Sequence, residues 1–193
     1  MAFDFSSRDE RIYIAATEDG WIHRCSTSYS EQYLESYSGH MGPVYNVQWS
    51  PYRPDMFISA SADWTLRLWQ EGQQSSLLLF QSSNQEVNDV QWCPNNATVF
   101  GDVTSGGRLE LWDIELSTVK PVVTFKAGHR LSCLLFAKNS PVVVCGGDNG
   151  SVHVLRTYNI DRRYDSVEEQ VFRLDETIKA NVMKQKPGEL LGS

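Results

Sequence analysis

Trp69, Trp112 and Leu155 each close a short strand-like segment, and they stand 43 residues apart each time. The segments are Thr65-Leu66-Arg67-Leu68-Trp69, Arg108-Leu109-Glu110-Leu111-Trp112 and Ser151-Val152-His153-Val154-Leu155. Stepping back 44 residues from Trp69 reaches Cys25, the end of Trp21-Ile22-His23-Arg24-Cys25. A second marker keeps the same register: Phe5, Trp49-Ser50-Pro51, Trp92-Cys93-Pro94 and Phe136. A fixed period of this length means one supersecondary unit used repeatedly, each copy burying its faces only against its neighbours.

Within a unit the pattern reads strand, turn, strand, turn, strand and a looser outer strand. Val44-Tyr45-Asn46-Val47-Gln48-Trp49 alternates apolar and polar residues, as a half-buried strand does. Pro51 stops it, because proline cannot donate to a ladder. Met56 to Ala60 is the second strand, Ala62-Asp63-Trp64 a tight turn, Thr65 to Trp69 the third strand and Ser76 to Phe80 the outer one. The next two units turn at Ser105-Gly106-Gly107 and Asp148-Asn149-Gly150, where Gly and Asn accept the positive φ of short hairpins. Upstream, Phe3 to Phe5, Ile12 to Ala16, Trp21 to Cys25 and Gln32 to Tyr37 read as a thinner unit. Short strands at this period predict an all-β fold, a WD40-type β-propeller of about three and a half blades over residues 1–155. Met1 stands two residues ahead of a strand, so the expectation is the C-terminal part of a longer propeller.

The tail, 156–193, changes character. Val167, Val171, Leu174, Ile178 and Val182 form one apolar stripe, which predicts an amphipathic helix at about 165–185. Asp165 or Ser166 suits its cap, Glu168 and Glu169 suit its positive end, and Pro187-Gly188 stops it. The stripe either packs on its own propeller or is offered to another chain.

The net charge is −7, from 24 acidic and 17 basic residues. Residues 156–193 hold seven of each sign, so the deficit lies in the repeats. An acidic body without a basic run argues against nucleic acid, which requires clustered Lys and Arg. No apolar run reaches membrane-spanning length, so no membrane partner is expected. The four Cys (Cys25, Cys93, Cys133, Cys145) lack Cys-x-x-Cys spacing and read as buried apolar residues of an intracellular protein. His23, His40, His129 and His153 are scattered, and Gly146 to Gly150 fits a hairpin better than a calcium loop. No phosphate-binding loop occurs, and no metal or cofactor is expected.

Gly39-His40, Ser59, Ser61, Asp63 and Trp69 place Ser, His and Asp in one repeat. A hydrolase would need an oxyanion hole beside its nucleophile, and no Gly-x-Ser-x-Gly elbow is present. The positions suit a structural relay instead, running from the indole N–H through hydroxyl and imidazole to carboxylate. The relay is incomplete elsewhere: the unit after it has Gly106 in place of Asp63, and the last has Leu155 in place of Trp. These two blades are expected to rely more on packing. For partner contacts the candidates are Tyr45, Asn88 and Ser132, at one rim position of the inner strands, and Trp64 in its hairpin turn.

Glu18-Asp19-Gly20, Ile22 to Ser26, Tyr29 to Tyr37, Gly39-His40, Gly42-Pro43-Val44-Tyr45 and Ser61-Ala62-Asp63-Trp64-Thr65 ending at Trp69 resemble the intermediate chains of axonemal dyneins, with a likeness to the two-headed inner arm. The resemblance covers residues 3 to about 155 and is most specific from Glu18 to Trp69. It implies a non-catalytic scaffold or adaptor whose propeller docks on a dynein heavy chain, beside other intermediate and light chains. It further implies a place in the cilium or flagellum axoneme and the cytoplasm, with a part in ciliary motility or arm assembly. The sequence lacks the family's N-terminal extension and earlier blades, so light-chain binding does not carry over. The alternative is a generic WD recognition module, such as a substrate receptor or peptide reader, unrelated to dynein.

Overall fold

The 43-residue period becomes four antiparallel sheets in the computed structural model, which describes residues 2–160 and 165–185. The first sheet holds β1 (Phe3–Phe5), β2 (Ile12–Ala16), β3 (Ile22–Ser26) and β4 (Glu35–Tyr37). The second holds β5 (Val44–Trp49), β6 (Met56–Ser61), β7 (Leu66–Gln70) and β8 (Leu78–Phe80). The third holds β9 (Val87–Trp92), β10 (Val99–Thr104), β11 (Arg108–Asp113) and β12 (Val123–Lys126). The fourth has three strands, β13 (Leu131–Phe136), β14 (Val142–Gly147) and β15 (Val152–Arg156). This is a partial WD-type propeller. The short sheet is the last one, whereas the sequence pattern placed the thin unit first. β1 and β4 are brief but paired, so the first sheet has its full set. The outer strands are shorter than their apolar runs because only a few residues of each run reach ladder partners.

The two sequence markers lie on one row of each sheet. Trp49, Phe57 and Trp69 are cross-strand partners, as are Trp92, Phe100 and Trp112. The corresponding rows are Phe5–Tyr13–Cys25 in blade 1 and Phe136–Val143–Leu155 in blade 4. An aromatic from the preceding blade's outer strand completes the packing. Tyr37 meets Phe57 at 4.9 Å and Trp69 at 6.0 Å, and Phe80 meets Phe100 at 5.0 Å and Trp112 at 5.5 Å, all edge-on. These offset geometries are the ones that ring quadrupoles favour.

Each of the three hydrophobic clusters is therefore an interface between blades rather than the inside of one. Ile14, Ile22 and Tyr37 join Val47, Phe57 and Trp69. Leu66, Leu68 and Phe80 join Phe100 and Trp112. Leu109 and Leu111 join Leu134 and Val143. A polar clasp repeats beside them. Trp49 N–H donates to Asp4 at 2.8 Å, Trp92 N–H to Gln48 at 2.7 Å and Phe136 N–H to Gln91 at 3.4 Å. Replacing Gln48 with alanine should lower unfolding free energy by about 1 kcal/mol, the net worth of such a bond. Urea titration would show it, with exposed Gln73→Ala as an unchanged control.

Among the described residues nothing covers the outward faces of the first and last sheets. Phe3 and Phe5 stand exposed on one, and Leu135, Val152 and Val154 on the other. Cys133 is exposed there too, which corrects its reading as a buried residue; Cys25, Cys93 and Cys145 are buried.

After β15 the chain turns back to the middle of the arc. Helix α1 (Val167–Gln185) starts with a reciprocal cap: Ser166 Oγ accepts from Glu169 N–H at 3.1 Å, and Ser166 N–H donates to Glu169 Oε2 at 2.9 Å. Its buried face is Gln170, Leu174, Ile178 and Asn181, not the full apolar stripe, and Val167 is exposed. Leu174 and Ile178 enter the core between blades 2 and 3. The amides are buried because they satisfy backbone groups: Ala97 N–H donates to Gln170 at 3.1 Å, and Asn181 donates to Ile114 O at 3.1 Å. Gln185 both accepts from Leu79 N–H and donates to its carbonyl, so one side chain pairs the edge of β8. Pro187-Gly188, expected to stop the helix, lies outside the described residues.

Candidate functional site

The relay residues of blade 2 converge. Trp69 Nε1–H donates to Ser59 Oγ at 2.8 Å, and Ser59 lies 2.7 Å from His40 Nε2. His40 Nδ1 is 2.9 Å from Asp63 Oδ2. With Nδ1–H donating to the carboxylate, Nε2 accepts from the Ser59 hydroxyl and all groups are paired. Burial holds the His40 pKa below its ordinary value, against the pull of Asp63, so the ring is neutral. Burial alone would raise Asp63, but bonds from His40, Thr65 and Met41 N–H keep its carboxyl well below the usual range. Ser61 stands off this path: its hydroxyl donates to Pro43 O at 2.9 Å and accepts from Asp63 N–H at 3.1 Å. Thr65, which sequence reasoning did not include, donates to Asp63 Oδ1 at 2.6 Å.

The chemistry of this set is structural. Ser59 is fully buried, so an acyl group has no path to its hydroxyl. Its replacement by alanine leaves an indole N–H and an imidazole nitrogen unpartnered, and should destabilise the chain by about 1–3 kcal/mol in a denaturant titration. What the set does is tie the Gly39–Pro43 loop to the β6–β7 turn. Two exposed apolar side chains are displayed on that rim, Met41 at 93% and Trp64 at 43% exposure. Trp64 adopts φ 74°, where the equivalent turn residues of the other blades are Gly20, Gly107 and Gly150. A bulky residue in the left-handed region costs of order 1–3 kcal/mol.

Tyr45, Asn88 and Ser132 each fall at an irregularity of the inner strand, where β5, β9 and β13 shift register against β6, β10 and β14. Two of them are already engaged. Asn88 donates to Leu131 O of the next blade at 2.6 Å and accepts from Ser105, and Ser132 donates to Gly146 O at 3.3 Å.

Sequence reasoning missed the buried acids Asp89, Asp102, Glu110 and Asp113, of which Asp102 and Asp89 bear on the relay and the joins between blades. In blade 3, Asp102 takes the place of Ser59 and accepts from Trp112 Nε1–H at 2.8 Å. Burial, then Glu110, raises its pKa well above the ordinary value. Blade 3, expected to rely more on packing, thus has a polar anchor of its own as well. Asp89 binds across three blades: it accepts from Asn46, from Val90 N–H at 2.9 Å and from Leu134 N–H at 2.7 Å. The period itself held the signal for Asp102, which stands 43 residues after Ser59. Blade 4 keeps a fragment of the relay, His129 Nε2 against Ser151 Oγ.

No group of three His, Cys, Asp or Glu among the described residues could hold a metal, and no described helix is long and apolar enough to cross a membrane.

Sheets, rows and relay define a WD-repeat protein, and residues 31–70 and 119–155 match the WD domain, G-beta repeat. Each matched span begins with one blade's outer-strand region and ends with the next blade's third strand. The repeat between them carries Asp102 and Gly106 in place of the usual relay residues. Over most of its length the chain is similar to axonemal dynein intermediate chains. It is 47% identical over 148 residues to Dynein axonemal intermediate chain 4 of Xenopus laevis, covering 76% of this chain and 20% of that one. It is 39% identical over 176 residues to the Mus musculus protein of that name, covering 90% and 22%. It is 34% identical over 158 residues to Dynein intermediate chain 2, ciliary, of Heliocidaris crassispina, covering 80% and 22%. The chain spans about a fifth of the length of these relatives.

Proposed function

We propose that this chain is a non-catalytic scaffold subunit of an axonemal dynein complex, docking through its propeller on a dynein heavy chain beside the other intermediate and light chains. The observation that carries this reading is the similarity to intermediate chain 4, which extends over 76–90% of the chain in two of these relatives. The names of the relatives, axonemal and ciliary, support a place in the axoneme. ATP hydrolysis belongs to the partner in this reading.

The experiment is affinity capture of the tagged chain from ciliated-cell extract, with mass spectrometry of the captured proteins. Enrichment of an axonemal dynein heavy chain over a tag-only control supports the proposal. Capture by a longer form alone assigns docking to the rest of that form. Failure of both leaves a WD recognition module with another partner.

Trp64 is the residue we assign to the contact. A strained indole held on a rigid rim is costly to the fold and suits a binding anchor. Trp64→Gly should raise unfolding free energy by about 1 kcal/mol and reduce heavy-chain capture. Equal capture with greater stability would remove Trp64 from the contact.

A further inference from the structure

The third interface between blades is built like the first two but lacks their Phe–Trp pair, and its outer-strand aromatic, Phe125, meets the His153 ring edge-on at 5.3 Å instead. At the first two, the outer-strand aromatic of one blade meets a Phe–Trp pair of the next: Tyr37 on Phe57 and Trp69, then Phe80 on Phe100 and Trp112. At the third, Phe125 is again supplied by the outer strand, but the paired positions hold Val143 and Leu155. The indole acceptor is lost with the indole: Ser59 and Asp102 are matched on their rows by Cys145.

The missing rings leave space. A cavity of about 380 Å³ is lined by Leu109, Leu111, Val123, Phe125, Val143 and Leu155, with Thr157 and Tyr158 also on its wall. Its position beside Phe125 is where the other two interfaces hold a phenyl and an indole. β15 is the last strand of its sheet, so no fourth strand of blade 4 covers this side among the described residues. Arg156 lies over the exposed Tyr158 ring at 5.5 Å, a cation and a hydroxyl near the opening.

The geometry points to a receiving pocket for one aromatic side chain, a tryptophan or phenylalanine presented by a partner protein. The occupant follows from the repeat: the same walls, one and two blades earlier, enclose aromatic rings. A single ring inserted into an apolar pocket is the usual anchor of a protein interface. The pocket lies between blades 3 and 4, apart from the Trp64 rim of blade 2, and this inference does not depend on which partner the chain serves.

The test uses the whole chain, with indole and a short peptide carrying one central tryptophan as probes. Ligand-observed NMR should show saturation transfer from the protein to both, and Trp→Ala in the peptide should abolish its signal. The double substitution Val143→Phe and Leu155→Trp restores the row of blades 2 and 3 and should cut both signals at least tenfold while raising Tm. Should the double variant not fold, Leu155→Phe alone is read in its place. Absence of binding to the native chain overturns the proposal, and so does binding that a folded, filled variant retains. Binding of indole but not of the peptide makes the cavity a small-molecule void and overturns the assignment to a protein side chain.

Discussion

Trp69→Ala should lower the unfolding free energy by about 3–5 kcal/mol, the cost of deleting a buried indole. The ring is fully buried, and it is where packing and polar order meet. It stacks on Phe57 at 6.1 Å, receives Tyr37 edge-on from blade 1 and donates to Ser59. Removing it opens a cavity between blades 1 and 2 and leaves the Ser59 hydroxyl with His40 as its one remaining partner. Trp69→Phe separates the two effects. It keeps most of the packing and loses the donor, so its cost should lie near that of one hydrogen bond, about 1 kcal/mol. Denaturant unfolding of both variants checks this. Equal losses would mean that the hydrogen bond, not ring volume, governs the interface.

Asp102→Asn should stabilise the chain, by about 1–3 kcal/mol at neutral pH, and only where the native carboxyl is under pressure to ionise. The Asp102 pKa is raised in the fold by burial and by Glu110, above the unfolded carboxylate value of about 3.9. Above that value the native state holds a proton that the unfolded chain has released, so stability falls as pH rises through the folded pKa. Asparagine keeps an oxygen for the Trp112 indole and has no proton to lose. The gain should vanish below about pH 3.9 and grow toward neutrality. A gain independent of pH would place its origin in packing. His40 works in the opposite sense: its lowered pKa makes stability fall as pH drops through about 6.5, where the unfolded ring takes a proton. The two groups therefore pull stability in opposite directions across mildly acidic pH, and Asp102→Asn should leave the His40 dependence standing alone.

Much of this was legible because the period compares the sequence with itself. The rows through Trp49–Trp69 and Trp92–Trp112 follow from residues 43 apart, and the relay follows from the place of His40 and Asp63 relative to the strands. The rest depended on neighbours that a single repeat does not show. Asp102 reads as an odd residue in a strand until Trp112 is seen to donate to it. Asp89 and the Asp4, Gln48 and Gln91 clasps act on the following blade, so nothing in their own strand explains them. The place of Trp64 in a hairpin turn makes it a contact candidate from sequence, but its positive φ appears only when the turn is built. The helix was placed within two residues, yet its buried face depended on which backbone groups of Ala97 and Ile114 awaited partners.

The return of the helix to the middle of the arc alters how the chain comes apart. Because α1 packs between blades 2 and 3, blade 4 is strung between two anchored points rather than hanging from a free end. Among the described residues it also rests on a single interface between blades, the one whose Phe–Trp pair is replaced by Val143 and Leu155. Opening there can proceed as an internal loop, with both flanks still folded. In amide exchange, β13–β15 should lose protection first while α1 stays protected, although α1 lies nearer the C-terminus. A fold that frays from inside its sequence can release one blade to a partner or a protease and close again without losing its end.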